Sequence, residues 1–379
     1  MSGCLLQFSI DLHRKLRETG HIGNVLLSPF IAASSMVMLL RGASGNTYAQ
    51  IASALHVERD PSGTADRFEQ MATDMFRDFE RAKLHSMGMR LTCFFALFHD
   101  QSVPVHKEYF RLQDTMCYFI DRRDFRNDSR QCRLIMDAVA RASTSFSLSR
   151  EQVFPPGSVG PDTRLVLLSC LRLEGRWQKR FAVSREPFYR LPGTKTSGTR
   201  VPMMHCTGPF RTAECAELQA TLVEVPYENP RNSMVILLPN SSGGLAALED
   251  KLSAVLVLSY IDRLRHAGDV ELTLPKQVTD MTKLLPSLGV RDVFTEDARL
   301  DRLISVTDKG IHVSSARHVA AVHVSQAGAR PAASQSCGGS PAQECVVVKK
   351  VVVDRPFMFL VLNRSPDMVL LLGSVATVV

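Results

Sequence analysis

Cysteine is the side chain in this sequence with the most chemistry to offer, and there are nine: Cys4, Cys93, Cys117, Cys132, Cys170, Cys206, Cys215, Cys337 and Cys345. Thiolate metal sites and redox pairs need cysteines a few residues apart, or a cysteine and a histidine at ligand spacing. No CxxC pair or His/Cys cluster occurs. An odd count without a framework reads as free thiols, most of them buried, with Cys337 and Cys345 exposed by the polar run around them. Histidines such as His205 and His266 read as ordinary surface or core residues rather than ligands. There is no GxSxG elbow, no HExxH and no phosphate-binding glycine loop. The sequence therefore assigns no catalytic residue, no metal ligand and no cofactor.

Charge offers one further cluster. Arg122, Arg123, Arg126, Arg130 and Arg133 stand close together, with Asp121, Asp124, Asp128 and Asp137 interleaved. Mixed signs at this density read as a solvated face rather than a polyanion site. Nothing resembles a nucleic-acid-binding motif. The net charge of +7 is modest for 379 residues, and 45 % apolar with 22 % charged residues is an ordinary globular balance. No run of about 18 apolar residues is present, so a membrane-spanning helix is not expected. The start, MSGCLLQFSIDLHRKLRE, reads as an amphipathic helix rather than a cleaved signal; either there is none or it is missing from this chain. Sequons at Asn127 and Asn240 point only weakly to secretion.

The elements that must position any site divide by period. Phe8, Leu12 and Leu16 recur at helical spacing, and Ser28-Pro29 looks like a capped helix start, with Gly42 as its stop. Helical spacing dominates the first half. The second half carries strand-like runs at 163–175, 220–227, 233–239 and 269–276, and a hairpin candidate formed by 357–363 and 368–375. The run 245–264 is helical. The chain reads as α+β with large sheets and no clear linker. Against that background, SQAGARPAASQSCGGSPAQECVVVKK (325–350) is long, small-residue-rich and poor in aromatics, the composition of a linker.

Several motifs converge. NVLLSPF (24–30), RGASGNTYAQIASALHV (41–57), VFPPGSVGPDTRLVLLSCLRLEGRWQKRF (153–181), VPMM (201–204), VPY (225–227), SMVILLP (233–239), DRPFMFLVL (354–362) and LLGSV (371–375) resemble the serpins in order and spacing over almost the whole chain. The resemblance implies one domain, 1–379, of three β-sheets with about nine helices and an exposed reactive-centre loop. It makes 326–350 the hinge and bait loop, with Gln326, Ala327, Gly328, Ala329, Arg330, Pro331, Ala332 and Ala333 as hinge. Counting along the family pattern places the scissile bond at Ala342–Gln343. A small residue there suits an elastase-like serine protease with a shallow pocket rather than a trypsin-like one, and the expected partner is an elastase-like or chymotrypsin-like serine protease. The implied protein is a secreted monomer, with a cytoplasmic location also open. It uses no cofactor and binds no nucleic acid or membrane.

In the implied mechanism, cleavage releases the loop to insert as a central strand of the main sheet, dragging the acylated protease with it. Alternation would put Ala329, Pro331, Ala333 and Gln335 on one face and Arg330, Ala332, Ser334 and Ser336 on the other. Pro331 departs from the family pattern, because proline cannot donate to the ladder. The polar network under the opening strands keeps Ser28 and His318, while Ser169 stands for its Asn and Ile31 for its second Ser. Trp177 falls where serpins place a tryptophan near the top of the main sheet. The stretch from Pro275 to Gly289 is shorter than the pattern. These departures support an alternative in which the protein is a non-inhibitory serpin: a carrier, a chaperone or a mere substrate. A bridge between Cys337 and Cys345 would cyclise the bait; free thiols are the expectation.

Overall fold

The computed structural model describes all residues except 1, 21–22, 59, 85–87, 111–117, 145–151, 190–198, 267, 276–277, 285–289, 306–309, 326–348, 365–366 and 379. Its helices are α1 (Ser2–Glu18), α2 (Pro29–Gly42), α3 (Gly45–Ala54), α4 (Pro61–Leu84), α5 (Phe125–Thr144), α6 (Leu245–Lys251) and α7 (Ala254–Asp262). Seven α-helices among the described residues replace the roughly nine expected; Lys107–Phe110 and Asp292–Phe294 form only short 3₁₀ turns. The run 245–264 is two helices, since Ser253 caps the second by accepting the Leu256 N–H.

Strands are numbered β1 to β16 in chain order and form three sheets. The main sheet has five, ordered β12 (Val278–Leu284), β13 (Val313–Ser325), β4 (Leu165–Arg176), β2 (Met89–Asp100) and β3 (Tyr118–Arg123). The second has seven: β1 (Val25–Leu27), β16 (Asp367–Val375), β15 (Phe357–Arg364), β9 (Asn232–Pro239), β8 (Ala220–Pro226), β7 (Arg211–Cys215) and β10 (Arg265–His266). The third has four: β14 (Lys349–Val352), β11 (Val270–Pro275), β6 (Thr199–Gly208) and β5 (Ala182–Phe188).

The main sheet is buried on both sides, which explains its near-continuous apolar runs. Leu167, Leu171 and Leu173 of β4 join the large core beneath it. Val166, Leu168 and Cys170 face the opposite way, into a smaller core closed by Phe125, Met136 and Ala140 of α5. α2 is apolar almost all round and buried along its length, as a helix lodged under a sheet must be. Its first turn reaches β16 and β13, so the helix start sits where the main sheet and the seven-stranded sheet meet. Strand β2 lies in the half of the chain where helical spacing dominates. Its run FALFHD (95–100) is buried on both faces, so alternation could not betray it.

Candidate functional site

The centre of the main sheet is the candidate site. β13 and β4 pair in parallel from Val313 to Ser325, while β12 and β2 flank them in antiparallel fashion. A strand folding back beyond Ser325 would run antiparallel to β13. Because β13 and β4 are parallel to each other, it would run antiparallel to β4 as well. Antiparallel ladders are slightly the more stable per residue, so opening this pair to admit one strand exchanges a parallel ladder for two antiparallel ones.

Beneath the pair lies a chain of hydrogen bonds. His318 on β13 stands opposite Ser169 on β4. The Ser28 amide donates to His318 Nε2 at 3.0 Å, which leaves Nδ1 to carry the proton and donate to Ser169 Oγ at 3.2 Å. The Ser169 hydroxyl in turn donates to the Arg317 carbonyl at 3.3 Å. Ser28 Oγ donates to the Leu370 carbonyl of β16 at 2.7 Å and accepts the Ile31 N–H at 3.3 Å. Burial with no charged partner pulls the His318 pKa down to about 4, so the imidazole is neutral. This network ties both strands of the pair to the first turn of α2 and to β16.

At the far end of β4, Trp177 stacks on Tyr227, with centroids 4.7 Å apart and planes 8° from parallel. Both rings are buried, and neither the indole N–H nor the phenol hydroxyl has a hydrogen-bond partner among the described residues. Gly175 makes room for the stack, because a Cβ there would meet Tyr227 Cε1 at 2.6 Å. On the α5 side, Arg133 donates to the Phe154 carbonyl at 2.6 Å, and the Phe154 amide donates to Asp137 at 3.1 Å. The pair pins the segment after α5 against the sheet.

Residues 5–378 match the family model described as Serpin (serine protease inhibitor). The chain is a serpin. Serpins are inhibitors of serine proteases rather than catalysts, and this chain is not an enzyme. It is 33 % identical to Ipis-1 of Ixodes persulcatus, over 99 % of this chain and 98 % of that one. It is 27 % identical to the leukocyte elastase inhibitor of Bos taurus, over 100 % and 99 %. Uncleaved ovalbumin superposes with a TM-score of 0.83 at 22 % identity, over 100 % of this chain and 99 % of that one.

Of the residues singled out in this serpin's sequence, Ser28, Ser169 and His318 are brought into one hydrogen-bonded chain, whereas Trp177 stands apart, at the end of β4. The hinge (Gln326, Ala327, Gly328, Ala329, Arg330, Pro331, Ala332, Ala333), the bond Ala342–Gln343 and both Cys337 and Cys345 lie outside the described residues, as does Cys117. Their boundaries are described: β13 stops at Ser325, and β14 starts at Lys349, paired in parallel with β11. Ion pairs Lys349–Glu214 (2.6 Å) and Lys350–Glu271 (2.8 Å) fasten that return. Ile31 places a fully buried side chain where the family pattern has a hydroxyl. The six described cysteines form no disulfide with one another; Cys132, Cys170 and Cys215 are buried and Cys4, Cys93 and Cys206 partly so. Burial pushes the Cys170 thiol up, away from reactivity. Tyr227 had no role in the sequence reading. Its place in the motif VPY was the available signal, but nothing local announced a stacking partner fifty residues upstream.

Proposed function

We propose that this serpin is a suicide inhibitor of serine proteases, acting as a single domain, 1–379, whose loop 326–350 is cleaved near Ala342–Gln343. One observation supports this reading most: past a register shift between Val313 and Ser315, the parallel pair β13–β4 continues in register to Ser325, immediately before the hinge. In this reading the hinge follows Ser325 at the mouth of the gap where a strand returning antiparallel to β13 would gain two antiparallel partners. Once the bond is cut, the freed segment enters that gap and carries the acylated protease with it. Ala342 fits a shallow specificity pocket, and the similarity to a protein named leukocyte elastase inhibitor agrees with an elastase-like target. Incubation with elastase-like and chymotrypsin-like proteases, followed by a denaturing gel, tests the reading. A complex resisting SDS and heat is the expected result. A chain merely nicked near Ala342, with the protease still active, would refute inhibition.

Pro331 favours a second reading, a non-inhibitory serpin. Inserted between β13 and β4 it would leave a buried carbonyl without its donor, at a cost of roughly 1–3 kcal/mol. Trapping is a race against hydrolysis, and each ~1.4 kcal/mol on the insertion barrier slows insertion about tenfold. Arg330 beside it adds a charge to a segment that must slide between strands. In this reading the loop is cut and the protease departs.

A further inference from the structure

Two short motifs have no part in the main-sheet site: Asn127-Asp128-Ser129 and Asn240-Ser241-Ser242. Each has the Asn-x-Ser pattern of an N-glycan acceptor. The pattern does not choose between them. The fold does, because a glycan added while the chain is being made must still fit once folding is complete. Asn127 has its side chain committed. It lies in the first turn of α5, where the Asp124 carboxylate accepts the Asn127 backbone N–H at 3.1 Å. The Asn127 carboxamide then donates through Nδ2 to both oxygens of that carboxylate, at 3.1 and 2.9 Å. Asp128 follows with non-helical backbone (φ −139°, ψ 49°) and accepts the Gln131 N–H at 3.3 Å. A sugar on Asn127 Nδ2 would replace one hydrogen with a bulky ring at the spot where the carboxylate gathers its donors. That would weaken the cap of α5, the helix that closes the smaller core.

Asn240 is placed differently. Pro239 ends β9, and Asn240 and Ser241 lie exposed in the turn that leads to α6. The Asn240 backbone N–H donates to the Gln219 carbonyl at 2.8 Å, which fixes the main chain without using the side chain. Its Oδ1 lies 3.2 Å from the Thr221 hydroxyl, and no acceptor among the described residues takes Nδ2. An exposed turn tip is also where added bulk disturbs the fold least.

We propose that Asn240, and not Asn127, carries an N-linked oligosaccharide in the folded chain when it travels the secretory route. The donor is an oligosaccharide held on a lipid diphosphate. Asn240 Nδ2 forms a bond to the sugar C1 as the bond from C1 to the diphosphate breaks. The diphosphate leaves with that electron pair, and the hydrogen lost from Nδ2 departs as a proton to it; nothing is oxidised or reduced. The position has a structural consequence. The Thr221 hydroxyl beside Asn240 is also 2.8 Å from Glu214 Oε2, and Glu214 Oε1 holds Lys349 at 2.6 Å at the start of β14. Arg355, just beyond β14, donates to the Pro239 carbonyl at 2.8 Å. The glycan therefore stands on the flank where the chain re-enters the fold at β14. The inference does not depend on whether the stretch before β14 inhibits a protease or is only cut.

The test secretes the full chain from insect cells behind a cleavable leader and weighs the purified protein before and after peptide N-glycanase. In heavy-oxygen water that enzyme turns an occupied Asn into a labelled Asp, so the site is read in the wild type without any mutation. The label should appear at Asn240 and be absent from Asn127. Asn240→Gln and Ser242→Ala should each abolish the mass step, whereas Asn127→Gln should leave it unchanged. Ser242→Thr keeps the acceptor pattern and should keep the glycan, which separates loss of the pattern from a disturbed turn. Melting temperatures confirm that the variants are folded. An unmodified wild type, a label at Asn127, or a mass step that survives Asn240→Gln would overturn the inference.

Discussion

His318 is uncharged where it sits, and its neighbours require it to be. Ser28 points an N–H at Nε2, so a second proton there would set donor against donor. The pKa falls from the ordinary 6.5 to about 4 through burial. Between those values the unfolded chain takes up a proton that the folded chain refuses. The stability this imidazole contributes is therefore complete above pH 6.5 and is lost as pH drops towards 4, by about 3 kcal/mol in all. Urea unfolding from pH 7.5 to 4 should show that loss, and His318→Phe should flatten it. Ser28→Ala removes a hydroxyl that both donates to β16 and caps α2, leaving the buried Leu370 carbonyl without that donor. The expected cost is about 1–3 kcal/mol in the same assay. Pro331→Ala restores the missing ladder donor. If the hinge account is right, the ratio of trapped complex to nicked chain on the gel rises about tenfold or more; an unchanged ratio would clear proline of blame.

At the scale of elements, what matters is how firmly the β13–β4 pair is held shut. Gly175 illustrates the tolerance at its end: Gly175→Ala pushes a methyl into Tyr227 and so into the Trp177 stack. Destabilisation of about 1–3 kcal/mol is expected, with a changed emission spectrum, since Trp177 is the single tryptophan. Arg133→Ala should cost a similar amount by freeing the Phe154 carbonyl under α5. Much of this level was legible in the chain. Ser28-Pro29 announced the cap of α2, and Arg-Ser-Pro-Asp between two apolar runs announced the β15–β16 hairpin, which pairs Phe357 with Val375. The splitting of 245–264 was not legible, because a serine inside an apolar run becomes a cap only when tertiary packing turns the chain there. Strand β2 was hidden for the same reason that it is central: both of its faces are buried. The Ser28–His318–Ser169 chain could be named from family resemblance, but its link to Leu370 depends on a strand more than three hundred residues away.

For the molecule as a whole, the proposed function makes the five-stranded sheet and the stretch between Ser325 and Lys349 one device. The sheet holds a parallel pair at its centre where a strand of opposite direction would be better bonded, and the strand proposed to fit there joins β13 at Ser325 to β14 at Lys349. While the tether is intact, insertion would have to pull β14 from β11 and break the Lys349–Glu214 and Lys350–Glu271 pairs. Cutting the bait removes that restraint. The most direct test is to cleave the loop with an elastase-like protease, purify the nicked chain and compare its thermal unfolding with that of the intact protein. Insertion predicts a melting temperature raised by tens of degrees, as a whole added strand with two ladders would give. Equal melting temperatures for the nicked and intact proteins would contradict the account.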